Sequence, residues 1–438
     1  MKFRQHFQGG MNSDSNIFGA MSDFASIPLQ ECMSLQQILT ESTVDSTQQR
    51  IIEAQIQILT EVSLKDIWEK IKSFFRLIWE KIKKVGQWIK GLLIRNKQNK
   101  TGEKLKKVEN EVKKNDIEIK VEEKKIENKS EDGDSEDNTI LTVSSVEKMD
   151  ASLGGDNFKK NHNKIAHCVI RPALFFEPDQ VLNMNYIRQM ESTIDEFKNV
   201  INKIADATST TNADNFEDTI EGIMGNAENN LEIESYFSSN FVSELEKVAK
   251  TDIGKIFWTH YEGEAGQEKA PTGIEIRSNK NAKQFMNKAC TRICVNKMRE
   301  TLKGSKHLSD IVKYLLDRHK ALTNNVQELD SLQKNFEKVT ERFEKDMSKI
   351  ANTVRSDNSQ FSPVVLEIIN GSMMSAASVL KFGNYLMSYL AKHVGKSVKA
   401  LETSVHSLDG LTDNGFVIEP PTYDDKKNYD QDNLLDLN

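Results

Sequence analysis

Cys290 and Cys294 lie four residues apart in a stretch with helical spacing, so their thiols face the same way. With two imidazoles they would complete a tetrahedral zinc site. The nearest histidines, His307 and His319, fall on another predicted element without ligand-like spacing. The pattern therefore predicts two small apolar side chains in a core and no metal. His162, His167 and Cys168 gather at the start of the apolar run Ile165–Phe176. These residue types make nucleophile–base pairs, and they carry the alternative reading, a hydrolase with a dispersed active site. No Walker loop, G-x-G-x-x-G, H-E-x-x-H, G-x-S-x-G or C-x-x-C occurs. The chain is accordingly read as non-enzymatic, with no catalytic residue assigned and no cofactor expected.

Near the end, Pro420, Pro421, Thr422 and Tyr423 form a PPxY sequence, and Leu434–Leu437 resembles a short adaptor-binding peptide. Such segments dock in extended or polyproline form. They support a further alternative, a scaffold or adaptor that holds partners through its tail.

The most distinctive chemistry lies between Leu64 and Ile94. Leu64, Ile67, Ile71, Phe74, Ile78, Ile82, Val85, Ile89 and Leu92 recur at steps of three and four, which predicts an amphipathic helix. IWEKIK occurs twice, at Ile67–Lys72 and Ile78–Lys83. An offset of about three turns presents both copies on one face, and an 11-residue period runs nearly straight. Trp68, Trp79 and Trp88 are three of the four tryptophans. Between Ser63 and Arg95, nine Lys/Arg stand against Asp66, Glu69 and Glu80 in a chain of net charge −7.

The side chains expected to meet a membrane or a partner are Ile67, Trp68, Ile71, Phe74, Phe75, Ile78, Trp79, Ile82, Trp88 and Ile89, with Lys70, Lys81 and Lys84. On a membrane the apolar face enters the interface and lysines meet anionic headgroups. Against protein, the same face packs on another helix, and the burial gain of about 1.5–3 kcal/mol per large apolar side chain is the same in kind. A nucleic-acid partner is not expected, because the positive charge is diluted by that large apolar face.

Composition sets the frame that must position these residues. Of 438 residues, 37% are hydrophobic, 7% aromatic and 29% charged, with 7 Pro and 21 Gly. Few breakers and many charges predict a mainly α protein with minor β elements and an elongated, thinly cored body. Four cysteines do not make a disulfide scaffold. No signal peptide is visible before Glu31, and no uncharged apolar run reaches the ~18 residues of a membrane span.

Five regions are expected: a mobile arm (1–33), a module with the cationic helix (34–95), a charged linker (96–150), a helical body (151–415) and an acidic tail (416–438). The linker between Lys97 and Asp137 holds 11 Lys and 13 Asp/Glu, although Leu105, Val112, Ile119 and Ile126 are spaced by seven. In the body, a helix over Ile187–Ile204 is followed by short β-like pieces within Ile253–Arg277 and a helix at Ala282–Leu302. A long helix is predicted from His307 to Arg355, with Leu315, Leu322, Leu329, Phe336, Phe343 and Ile350 in heptad register. The alternate seam positions include the polar His319, Gln333 and Thr340. Pro363 then opens a second helix to about Leu408. Its Gly371, Ser375, Ala376, Ala377, Ser378 and Gly383 suit close approach in an αα-hairpin. The long helices also offer a route to a homo-oligomer.

The stretch Glu61–Leu93 (EVSLKDIWEKIKSFFRLIWEKIKKVGQWIKGLL) is similar to the N-terminal region of virion structural proteins of large tailed bacteriophages. In these a Ser/Leu-rich lead-in precedes IW-x-KIK-x-FF-type repeats, a charged linker and a helical body. The resemblance covers roughly residues 34–130. It implies a non-enzymatic component of the virion, placed inside the head or in the tail, with other virion proteins as partners and membrane contact during genome delivery. Leu29, Gln30 and Glu31 also resemble the sites cut by some phage head-maturation proteases.

Overall fold

Two helices of nearly equal length form the spine. A computed structural model describes residues 69, 72–73, 75–94, 100–113, 118–125, 139–145, 167–182, 184–210, 238–249, 280–356 and 363–412. Within it, α7 (Leu308–Ser356) and α8 (Pro363–Thr412) pack against each other. At about 1.5 Å per residue each is roughly 75 Å long. The heptad residues Leu315, Leu322, Leu329, Phe336 and Phe343 are all buried. Pro363 is the first helical residue of α8, where its missing N–H costs nothing.

The other elements wrap this hairpin. In chain order they are α1 (75–94), α2 (Thr101–Val112), β1 (Ile119–Lys125), β2 (Thr139–Ser145), β3 (His167–Ile170) and a 3-10 turn at Pro172–Phe175. The short helix α3 (Pro178–Val181) is followed by α4 (Asn185–Thr210), α5 (Ser239–Ala249) and α6 (Lys280–Leu302). Helix α4 packs on both spine helices. At Gly383 a Cβ would sit 2.6 Å from Met190 Sδ and 3.1 Å from the Phe336 ring, so a larger residue would force these side chains of α4 and α7 to shift. Ion pairs line the α4–α7 edge: Arg188 with Glu328, Arg342 with Glu191 and Asp195, and Lys198 with Asp346. Helix α5 rests on α6.

The three strands form one antiparallel sheet in the order β1-β2-β3, with Val121 opposite Val143 and Val143 opposite Cys168. Leu141 and Val143 point into the core at the period of a half-buried strand. β3 lies on α8, where Ser404 Oγ donates to Val169 O at 2.9 Å and Val169 N donates to Ser407 Oγ at 3.2 Å. Mid-helix serines here serve the sheet edge, which satisfies backbone groups that burial would otherwise orphan.

The described structure is mainly α with one small sheet. It differs from the sequence-based expectation at two places. The charged segment 96–150 contains α2, β1 and β2 rather than linker alone. Leu105, Val108 and Val112 give α2 a buried stripe, while its lysines face water, so high charge density there marks an exposed face and not an unfolded chain. The cationic helix is also no separate module: Phe75, Ile78, Ile82, Val85, Ile89 and Leu92 belong to the same core as the spine. The predicted arm 1–33, the first part of the 34–95 module up to residue 68, the β-like pieces within 253–277 and the tail 416–438 lie outside the described residues.

Candidate functional site

The site with the strongest sequence signal is the seat of α1. Its apolar spacing puts Phe75, Ile78, Ile82, Val85, Ile89 and Leu92 on one face, and all six are buried. At one end Phe75 meets Phe343 with ring centroids 5.6 Å apart and planes tilted by 55°. Trp79 donates its indole N–H to Glu344 Oε2 at 2.7 Å. Further along, Gln333 Nε2 donates to Ile82 O at 2.9 Å, while its Oε1 is buried without a partner. Gly86 lies over the same place: a Cβ there would be 3.2 Å from Glu337 Oε1. On the other side Trp88 lies against α8, where a Cβ on Gly395 would be 2.6 Å from the indole. Helix α1 thus runs antiparallel to α7 in the groove beside α8.

Helix α2 extends the same line. Gly102 packs against the His319 imidazole, and Leu105, Val108 and Val112 are buried beneath it. Burial, and secondarily the nearby Lys106, push the His319 pKa down. The chain then reaches the start of α7, where Ile119 N donates to Lys306 O at 2.9 Å. Two of the polar seam positions of α7, His319 and Gln333, therefore face α2 and α1. His319 is half-buried under Gly102, Gln333 is buried under Ile82 and Gly86, and buried Thr340 donates to its own helix at Phe336 O.

Of the residues expected to meet a membrane or partner, Phe75, Ile78, Ile82 and Ile89 are buried in this core, and Trp79 and Trp88 are half-buried against it. Lys84 is exposed and Lys81 half-exposed. Ile67, Trp68, Lys70, Ile71 and Phe74 lie outside the described residues. The face that a bilayer would need is occupied here by the protein's own helices.

A second polar cluster sits between α6 and α8. Cys290 and Cys294 are both buried, as their helical spacing predicts. Cys290 Sγ lies 3.8 Å from His393 Nδ1, and His393 also contacts the Tyr389 ring at a centroid distance of 4.3 Å. A hydrogen bond from Cys294, helped by the neighbouring His393, holds the Cys290 thiol well below its ordinary pKa, while the same bond and burial raise Cys294. Burial raises the Tyr389 hydroxyl too. Nearby, Arg318 is buried, donates to Leu174 O at 2.5 Å and to Phe176 O, and approaches Glu177 at 3.8 Å. Burial lowers its pKa, and its donors serve the carbonyls around the 3-10 turn. Sequence spacing reveals neither His393 beside Cys290 nor Arg318 under the turn, because both depend on helices more than 90 residues apart.

Among the described residues no group of three or more His, Cys, Asp or Glu is placed to hold a metal ion. Cys168, a candidate nucleophile of the alternative reading, is fully buried, donates its thiol to Ser404 O at 3.4 Å, and has its pKa pushed up to about 12 by burial. A protonated thiol without access to substrate does not attack. Of its expected partners, His162 lies outside the described residues, and His167 is placed in β3 by its backbone alone.

The chain matches no known protein-family model, no curated protein and no solved structure. Among the described residues no helix is long and apolar enough to cross a membrane.

Proposed function

We propose that this chain is a structural, non-enzymatic component of a tailed-phage virion, built into the head or tail and working by assembly with other virion proteins. The observation that carries the reading is the paired IWEKIK repeat continuing into α1, a cationic Trp-rich helix seated lengthwise on a hairpin of about 75 Å. Straight amphipathic helices laid along a long hairpin suit a part whose task is to hold neighbours at fixed distances.

Membrane contact during genome delivery belongs, in this reading, to a second state in which α1 has left its seat. The seat suits release: Gln333, Glu337 and Glu344 replace apolar contacts along it, so undocking re-solvates polar groups as well as apolar ones.

Mass spectrometry of purified particles tests the proposal. The protein is expected in virions at constant copy number relative to other particle proteins. Its absence from particles, with abundance only in infected cytoplasm, contradicts the proposal.

A further inference from the structure

The expectation against nucleic acid assumes that α1 shows its apolar face. The structure turns that face inward, and what remains outside is charge. Arg76, Lys83, Lys84 and Lys90 are exposed on α1, and Lys106 and Lys107 on α2. None of the six is in an ion pair among the described residues. Among the described side chains, the exposed acidic groups on these two helices are fewer. Glu80 and Glu103 are exposed there, while Glu69 is paired with Lys72 and Glu109 with Lys113.

The two helices lie end to end on the same hairpin. Contacts pass from Phe343 at Phe75, through Gln333 at Ile82, to His319 at Gly102. Both inner faces are buried on α7 and α8, so both outer faces point away from the same groove. With 20 residues in α1 and 12 in α2, the basic strip is about 50 Å long at ~1.5 Å per residue. The positive excess of this ridge lies on α1, where Arg76, Lys81, Lys83, Lys84 and Lys90 stand against Glu80, while α2 balances Lys104, Lys106 and Lys107 with Glu103, Glu109 and Glu111; the whole chain carries −7.

We propose that this ridge binds the phosphodiester backbone of duplex DNA without reading its sequence. A duplex carries about one negative charge per 1.7 Å of axis, so ~50 Å of duplex presents a continuous line of partners to it. A bilayer is the poorer partner for the docked helix, because interfacial binding needs apolar side chains to insert. Ile94 is the one large hydrophobic side chain found exposed among the described residues. The ridge lacks features that read base edges: its exposed groups are mainly lysines on a convex surface, suited to phosphate contact as point charges. The inference stands on the outer face alone and does not depend on the chain being a virion component.

The test uses the full-length protein, a random-sequence 20-base-pair duplex and vesicles containing phosphatidylglycerol. Binding to the duplex is expected at low salt, with log K falling linearly against log salt by about 0.9 per phosphate neutralised, hence a slope near −3 to −5. The variant Lys83→Glu, Lys84→Glu, Lys106→Glu, Lys107→Glu should bind at least ~10-fold more weakly with a flatter slope. A control variant, Lys203→Glu with Lys288→Glu, reverses exposed charges on α4 and α6 and should bind like the parent. Circular dichroism checks that both variants keep their helix content. No duplex binding at low salt, equal loss in the control variant, or binding to the vesicles but not the duplex each overturns the proposal. If the four-site variant loses helix, Lys83→Gln with Lys84→Gln decides instead: unchanged affinity and slope overturn it.

Discussion

The Trp79 indole N–H and the Glu344 carboxylate meet at 2.7 Å across 265 residues of sequence. The bond ties the second IWEKIK copy to the far half of α7, beside the Phe75–Phe343 contact. It fixes the helix's rotation, because Trp79 sits at the border between the buried stripe and the basic outer face. A charge-assisted bond at such a border contributes more than a neutral one, on the order of 1.5–3 kcal/mol before solvent screening.

A double-mutant cycle measures it. Trp79→Phe and Glu344→Ala should each destabilise the protein in urea denaturation. The pair should show a coupling of about 1 kcal/mol, because both groups are partly exposed and screened. A coupling indistinguishable from zero would show that the contact does not hold α1.

Gly395 and Gly91 make opposite predictions from the same residue type. At Gly395 a methyl group would collide with the Trp88 ring at 2.6 Å, so Gly395→Ala should destabilise by about 1–3 kcal/mol and shift Trp emission to the red. At Gly91 a Cβ meets nothing within 4 Å, and Gly91→Ala should stabilise by about 0.5–1 kcal/mol through helix propensity. Thermal melts of the two variants moving in the same direction would contradict the docked position of α1.

Gln333 is a buried amide with one satisfied end. Gln333→Leu keeps the volume and removes the orphan oxygen, so stability should hold or rise by up to about 1 kcal/mol. Gln333→Ala leaves a cavity and should cost about 2 kcal/mol or more. A Leu variant as damaged as the Ala variant would mean that the amide's bond to Ile82 O outweighs its desolvation.

Cys168 should make the fold sensitive to alkali. Its thiol ionises near pH 9 when unfolded but only near 12 in the native state. A pKa raised by folding gives stability that is complete below pH 9 and is lost as pH rises toward 12. Each pH unit in that window removes about 1.4 kcal/mol. Cys168→Ala removes this dependence, so its deficit relative to the parent should shrink between pH 8 and pH 10.5. A deficit unchanged over that range would place the thiol in a more solvated setting.

The hairpin was legible because its signals were local. Six heptad positions predicted α7 from His307 to Arg355, and it spans Leu308–Ser356. Pro363 marked the start of α8, and Gly383 a place where it is crowded by its neighbours. The apolar stripe of α1 was legible too, but not its partner, since period and area are the same whether Phe75 and Ile82 meet lipid or Phe343 and Gln333. The polar residues of the α7 seam held a clue: a helix half polar on that side suits a neighbour that brings glycine and backbone carbonyls. Helix α2 was obscured by lysine density, although Val108 completes the three-and-four spacing of Leu105 and Val112. Strands β1 and β2 escaped because IKVEEKK pairs across a long connection, and pairing partners at that separation leave no local trace.

Hydrogen–deuterium exchange on the intact protein, read by mass spectrometry, tests most directly whether the cationic helix is an integral part of the helical body. In the docked state, amides in 75–94 should be protected on the timescale of Leu322–Phe343 in α7, because α1 shares its core. Full exchange of 75–94 within seconds, while Leu322–Phe343 stays protected, would contradict the docked helix and the structural role built on it.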